Sequence, residues 1–143
     1  MNHAQQYCTF FINNLFFGVE VDKVQEVIRY QTLTRVPLAP PEISGLINLR
    51  GQIVIAIDLR RRLAFDERQP EQLPINVVMR SDEGAVSFLV DDIGEVLEVD
   101  DSAFEIAPST LSRGQRDLIL GAYKLKDKLL LALDAEKIMD FAV

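Results

Sequence analysis

The chain has 143 residues with a net charge of −7, and 48% of its side chains are hydrophobic and 26% charged. That balance fits one globular domain and excludes disordered, collagen-like and coiled-coil chains, while the acidic field disfavours nucleic acid and anionic lipid as partners. One cysteine and one histidine (Cys8 and His3), with no tryptophan, are too few ligands for a zinc site and leave no pair for a disulfide.

In chain order, the apolar runs at residues 7–12 (YCTFFI) and 15–21 (LFFGVEV) flank Asn13-Asn14. Asparagine tolerates left-handed turns, so a β-hairpin is predicted. Asp22 reads as an N-cap, with Val24, Val27 and Ile28 at the i, i+3, i+4 spacing of a short helix with one apolar side. Residues 30–36 are rich in Thr and Val and end at Pro37, the pattern of another strand. Pro40-Pro41-Glu42 opens a predicted helical turn on which Ile43, Leu46 and Ile47 share a face. Gly51 ends that segment and begins a strand over 52–57. Asp58 is placed to cap a short helix over 59–63. Arg60-Arg61-Arg62 within it reads as a solvated helix face, or as a patch for an acidic partner. Residues 66–74 (DERQPEQLP) are polar and read as a linker.

Beyond the linker the plan repeats. VDKVQEVI (21–28) aligns with VDDIGEVL (90–97) at a shift of 69, and the same shift sets Asn13-Asn14 on Asp82-Glu83. GLINLRGQIVIAID (45–58) aligns with GAYKLKDKLLLALD (121–134) at a shift of 76. The difference fits an insertion in the loop around residues 102–113. The predicted architecture is mainly β: one domain over 1–143 made of two repeated, five-stranded sub-barrels, about 6–68 and 74–141, with a few short helices. Each half alone buries too little surface to be stable, so the two are expected to pack together and leave a groove.

Catalytic chemistry finds no support. Asp91-Asp92 and Asp100-Asp101 are sequence neighbours, which on a strand point to opposite faces and cannot share a proton. Asp22, Asp58, Asp91 and Asp134 each follow a strand and precede a helical turn, where a carboxylate caps amides. No serine sits in a G-x-S-x-G elbow, no glycine-rich phosphate loop exists, and Cys8 lies in an apolar strand as an inert thiol. His3 stands at the fraying start of the chain. No enzymatic activity, metal or cofactor is expected. The first residues lack the basic start and apolar stretch of a signal peptide. The longest aliphatic runs, 53–57 and 129–133, fall far below the roughly 18 residues of a spanning helix. A cytoplasmic location without membrane insertion is therefore expected.

Asn48-Leu49-Arg50-Gly51 differs from the rest. Gly51 can supply a positive φ before the strand, and Arg50 offers a fork of donors beside it. The second repeat has Lys126-Asp127 there, which keeps the charge and loses both fork and glycine. Arg50 therefore has a role specific to the first half or forms a structural salt bridge. On these residues alone, a small-ligand-binding module and a general protein-interaction barrel stay open. A small-barrel nucleic-acid binder is disfavoured by charge and by the lack of a basic aromatic face.

The segments KVQEVI (23–28), PPEISGLINLRGQIVIAIDLR (40–60) and FLVDDIGEVLEV (88–99) together resemble the CheW-like coupling proteins of bacterial chemotaxis, over roughly residues 6–141. The resemblance implies two packed SH3-like β-barrels and a non-enzymatic adaptor. Such an adaptor couples the cytoplasmic hairpin tips of chemoreceptors to the regulatory domain of a CheA-type histidine kinase in signalling arrays. With no receiver domain and no kinase core in this sequence, the resemblance is to the solitary coupling protein rather than to CheV or CheA. Carried over by position, Val24, Glu26 and Val27 match the segment implicated in receptor contact. Arg50 matches an arginine essential for coupling, which is thought to pair with the acidic residue here numbered Glu26. Ile28, Asn48 and Gly51 complete the two motifs and join the candidate receptor- and kinase-binding set.

Overall fold

The computed structural model describes residues 4–82 and 84–140, so His3 and the Glu83 half of the second predicted turn lie outside the described residues. Strands β1 (Ala4–Ile12) and β2 (Leu15–Glu20) form the predicted hairpin. Ile12 pairs with Leu15, and Asn13 and Asn14 adopt φ of 53° and 66°, the two positive values that a two-residue I′ turn requires.

Two predicted helices are strands. After a 3₁₀ turn at Val21–Lys23, residues Val24–Ile28 form β3, and Ile43–Leu49 form β4 in place of the helical turn. Both segments are short and β-branched, and a run of that length fits a helical and a strand spacing alike. Pairing with neighbouring strands decides the outcome. The strand predicted over 30–36 is reduced to one bridge between Thr34 and Leu46.

Strand β5 (Gln52–Asp58) and helix α1 (Leu59–Arg62) follow as expected, with the Arg60 amide donating to Asp58 Oδ1 at 3.0 Å. Then come β6 (Ile75–Met79), β7 (Val86–Val90), β8 (Asp92–Asp100), β9 (Phe104–Glu105), α2 (Arg113–Asp117), β10 (Ile119–Lys124), β11 (Leu129–Leu133) and α3 (Ala135–Met139).

The strands make two curled sheets, in the orders β3-β6-β7-β5-β4 and β8-β1-β2-β11-β10-β9. Position by position these are the same sheet. The antiparallel pairs match, and so do the single parallel pairs, β5 with β7 and β2 with β11. The Thr34–Leu46 bridge of one is matched by Glu105–Ala122 of the other. The internal repeat is therefore a structural repeat, and the architecture is mainly β with two SH3-like units whose hydrogen-bonded ladders do not fully close.

The two repeats, predicted at about 6–68 and 74–141, do not map one to a sheet. Each sheet takes strands from both halves of the sequence: the hairpin β1-β2 sits with β8 to β11, and β6-β7 sits with β3 to β5. Exchanging hairpins ties the halves together through main-chain ladders, which supplies the stability that neither half would have alone.

Three cores result. One lies between the sheets and includes Phe10, Phe17, Ile57, Phe88 and Ile138. One fills each unit, around Tyr7, Tyr123 and Leu130 and around Ile47, Val54 and Val78. Gly45 and Gly121, 76 apart, serve the same close approach. A Cβ on Gly45 would lie 2.5 Å from the Thr34 carbonyl oxygen, and one on Gly121 would enter the Phe104 ring.

The polar segment 66–74 has no helix or strand but is not free. Arg68 is only 8% exposed, with Nη2 2.9 Å from Asp91 Oδ1 and 3.5 Å from Asp58 Oδ1. The arginine run of α1 likewise faces the protein. Arg60 grips Asp91 through Nε and Nη2 at 2.9 and 2.6 Å, Arg61 pairs with Glu67, and Arg62 donates to the carbonyls of Lys137 and Ile138. Among the described residues no helix is long and apolar enough to cross a membrane.

Candidate functional site

The turn between β4 and β5 is where the sequence singled out Arg50. Leu49 pairs with Gln52, which leaves Arg50 and Gly51 as the two central residues, at φ of 52° and 86°. Glycine adopts that conformation freely and arginine does not. The Gly51 amide donates to Asn48 Oδ1 at 2.9 Å, which fixes the turn from within. Arg50 so placed reaches across to β3, where its Nη2 donates to Glu26 Oε2.

Strands β3 and β4 are the two edges of their sheet, so the pair spans the open side of the unit. Gln25 Nε2 also donates to Glu26 Oε2, at 3.3 Å. The Arg50 hydrogen bond holds the Glu26 carboxyl below its usual range, and Glu26 in turn raises the guanidinium. Arg50 remains 67% exposed, and a guanidinium has five donor hydrogens, so most of its binding capacity faces outward.

The seven predicted site residues separate into groups. Asn48, Arg50, Gly51 and Glu26 converge on this pair. Val27, being on a strand, points to the opposite face from Glu26 and is 41% exposed. Val24 packs in part against the core between the sheets, and Ile28 against the core of its own unit. The predicted helix would have set Val24, Val27 and Ile28 on one side, and the strand does not.

Two neighbours were missed. Ile53 and Ile55 are exposed and sit across from Asn48 and Leu46. In the run QIVIAID both faces are apolar, so no alternation marks the outer one.

At the equivalent places of the second unit stand Glu95 and Lys126, and no ion pair joins them. There Lys128 lies over the Phe16 ring, 4.4 Å from its centre. The bridged pair is thus a property of one unit.

Among the described residues no cluster of His, Cys, Asp or Glu could hold a metal ion. Cys8 is buried, which pushes its thiol pKa up. Asp58 and Asp134 cap helices as predicted. Asp91 instead accepts from Arg60, Arg68 and the Asn13 amide.

Among the described residues, a recess lies beside each unit. The larger, about 1020 Å³, lies between the loop around Leu38 and the segment around Pro70. The smaller, about 530 Å³, is bordered by Ile106, Arg113, Arg116 and Leu120.

Comparison with known proteins places this architecture. A family model described as CheW-like domain matches residues 6–143. The chain belongs to the CheW-like family. CheW-like proteins are non-enzymatic scaffolds of chemotaxis signalling, and this chain is a coupling adaptor of that kind. Among relatives, the chemotaxis protein CheW of Bacillus subtilis is 29% identical over 137 residues, covering 96% of this chain and 88% of that protein. The CheW of Klebsiella aerogenes is 29% identical over 136 residues, covering 95% and 82%. The crystal structure of the scaffolding protein TtCheW from Thermoanaerobacter tengcongensis superposes with a TM-score of 0.85 at 23% identity, covering 98% of this chain and 95% of that one. That last likeness confirms the CheW-like fold.

Proposed function

We propose that this chain couples the cytoplasmic hairpin tips of chemoreceptors to the regulatory domain of a CheA-type histidine kinase, within cytoplasmic signalling arrays. The observation that carries the reading is the Arg50–Glu26 pair. It is held at the open side of one unit by an Asn48-anchored I′ turn, and it has no counterpart in the second unit. A strained turn that presents a two-thirds exposed guanidinium is a costly way to make a surface ion pair, which contributes little to stability. Its cost is accounted for if a partner uses the guanidinium.

The receptor hairpin docks at the edge that Arg50 and Glu26 bridge and extends past it onto the opposite face of the strands, where its helical side chains meet the exposed aliphatics Val27, Ile53 and Ile55. The two recesses, one beside each unit, serve kinase barrels. Each contact is small, and interfaces under about 1,200 Å² in total are weak and transient. Joining several in a lattice raises avidity by orders of magnitude without strengthening any one of them.

Reconstitution tests this directly. Kinase autophosphorylation is measured with receptor-bearing membranes and either the wild-type chain or Arg50→Ala. Wild type is expected to activate the kinase and the variant to leave it at its basal rate. Equal activation by the two would remove Arg50 from the site.

A further inference from the structure

Leu38 is the most exposed large hydrophobic side chain among the described residues. The backbone also places it at φ +66°, a conformation open to glycine and asparagine and unfavourable for leucine. The Ala39 amide donates to the Val36 carbonyl at 3.3 Å. Val36-Pro37-Leu38-Ala39 is therefore a turn with proline first and a positive φ second, the type II pattern that calls for glycine or asparagine where Leu38 stands. Nothing buries the side chain in return for this strain. It stands on the rim of the larger recess, beside half-exposed Tyr30 and Val36 and the exposed Leu73.

Charge points to the kind of surface it meets. Of the cations lining the recess, Arg61 pairs with Glu67 and Arg68 with Asp58. Arg35 has no side-chain partner among the described residues, in a chain whose net charge is −7. The smaller recess at the other unit is similar. Ile106 is 93% exposed there, beside Arg113 and Arg116, which likewise lack side-chain partners. Two recesses that each present an apolar residue and unpaired arginines do not complement one another, so they do not seat against each other across two copies.

We infer that Leu38 is an apolar anchor, held in a strained turn, for a partner protein surface that combines a hydrophobic pocket with carboxylates facing Arg35. The inference rests on the coupling reading above and names the anchor and the charge preference of one kinase-facing end. Binding energy at such interfaces is concentrated in a few residues seated in well-packed, desolvated pockets.

The test uses the full-length chain and the full-length CheA-type kinase of the same organism. Their binding is measured by calorimetry at low and high salt, for wild type, Leu38→Asn and Arg35→Glu, with a melting curve for each. Asparagine suits the turn and removes no packing, so Leu38→Asn is expected to melt higher, by roughly 3 °C. The same variant is expected to bind the kinase about tenfold more weakly, which sets its effect on binding opposite to its effect on folding. Arg35→Glu is expected to weaken binding and flatten its salt dependence. Unchanged binding by Leu38→Asn, or a lower melting temperature alongside weaker binding, would overturn the inference alone. Wild-type self-association abolished by Leu38→Asn would overturn the choice of partner. Failure of wild type to bind the kinase at any salt would bring down the coupling reading and this inference together.

Discussion

Arg50 reaches Glu26 although the strands that carry them, β4 and β3, stand at opposite edges of one five-stranded sheet. Both side chains are on the surface, so the bond contributes little to folding. If it shapes a docking surface, the two residues act as a unit. Arg50→Ala, Glu26→Ala and the double variant should then lose receptor-dependent kinase activation to the same extent, with melting temperatures close to wild type. Additive losses in the double variant, measured in the reconstituted assay, would mean that the residues act separately.

Val24 and Val27 are three positions apart on a strand with a bulge between Val24 and Glu26, and their surroundings differ. Val24 packs against the core between the sheets, while Val27 is substantially exposed. Val27→Asp is expected to weaken co-sedimentation with receptor-bearing membranes and leave the urea midpoint unchanged. Val24→Asp is expected to lower the midpoint, because it places a charge against apolar neighbours. The reverse pattern would exchange their roles.

Gly45 and Gly121 each let an edge residue come close to the strand that carries them. An added methyl group at Gly45 meets backbone, which cannot step aside as a flexible side chain can. Gly45→Ala is expected to cost about 2 kcal/mol in urea unfolding, and Gly121→Ala a similar amount through Phe104. A neutral result at either position would show that the bridge next to it can open without loss.

Asp91 sits between Arg60 and Arg68. Burial alone would raise its pKa, but hydrogen bonds from Arg60 and the Asn13 amide, with the charge of Arg68, more than offset this and hold it below the usual range. A depressed folded-state pKa stabilises the fold fully above the unfolded value of about 3.9. That contribution is lost as pH falls through the lower, folded value. Asp91→Asn should therefore cost about 3 kcal/mol at pH 7, where it leaves two buried arginines short of a partner. The gap between variant and wild type should narrow in urea titrations below pH 4. A gap that stayed constant with pH would mean that the carboxylate charge is not what the arginines require.

Local signals were legible in the sequence. Asn13-Asn14 marked a hairpin, Asp58 marked a helix start, and two alignments revealed the repeat that relates the sheets. The segments 24–28 and 43–49 misled because a few β-branched residues satisfy both periodicities; the strand that claims 24–28 is the distant β6, while 43–49 pairs with the adjacent β5. The exchange of hairpins between units was invisible because pairing partners 31 or more residues apart leave no trace in local pattern. Within the site, Gly51 and Asn48 declared a turn, but the reach of Arg50 to Glu26 came only through family resemblance. Ile53 and Ile55 could not be told from core because both faces of their strand are apolar.

The most direct measurement is sedimentation of the CheA-type kinase with receptor-bearing membranes, with and without this chain. Bridging predicts that the chain pellets with the membranes alone and that its addition carries substantially more kinase into the pellet. A pellet whose kinase content does not change when the chain is added would contradict the coupling role outright.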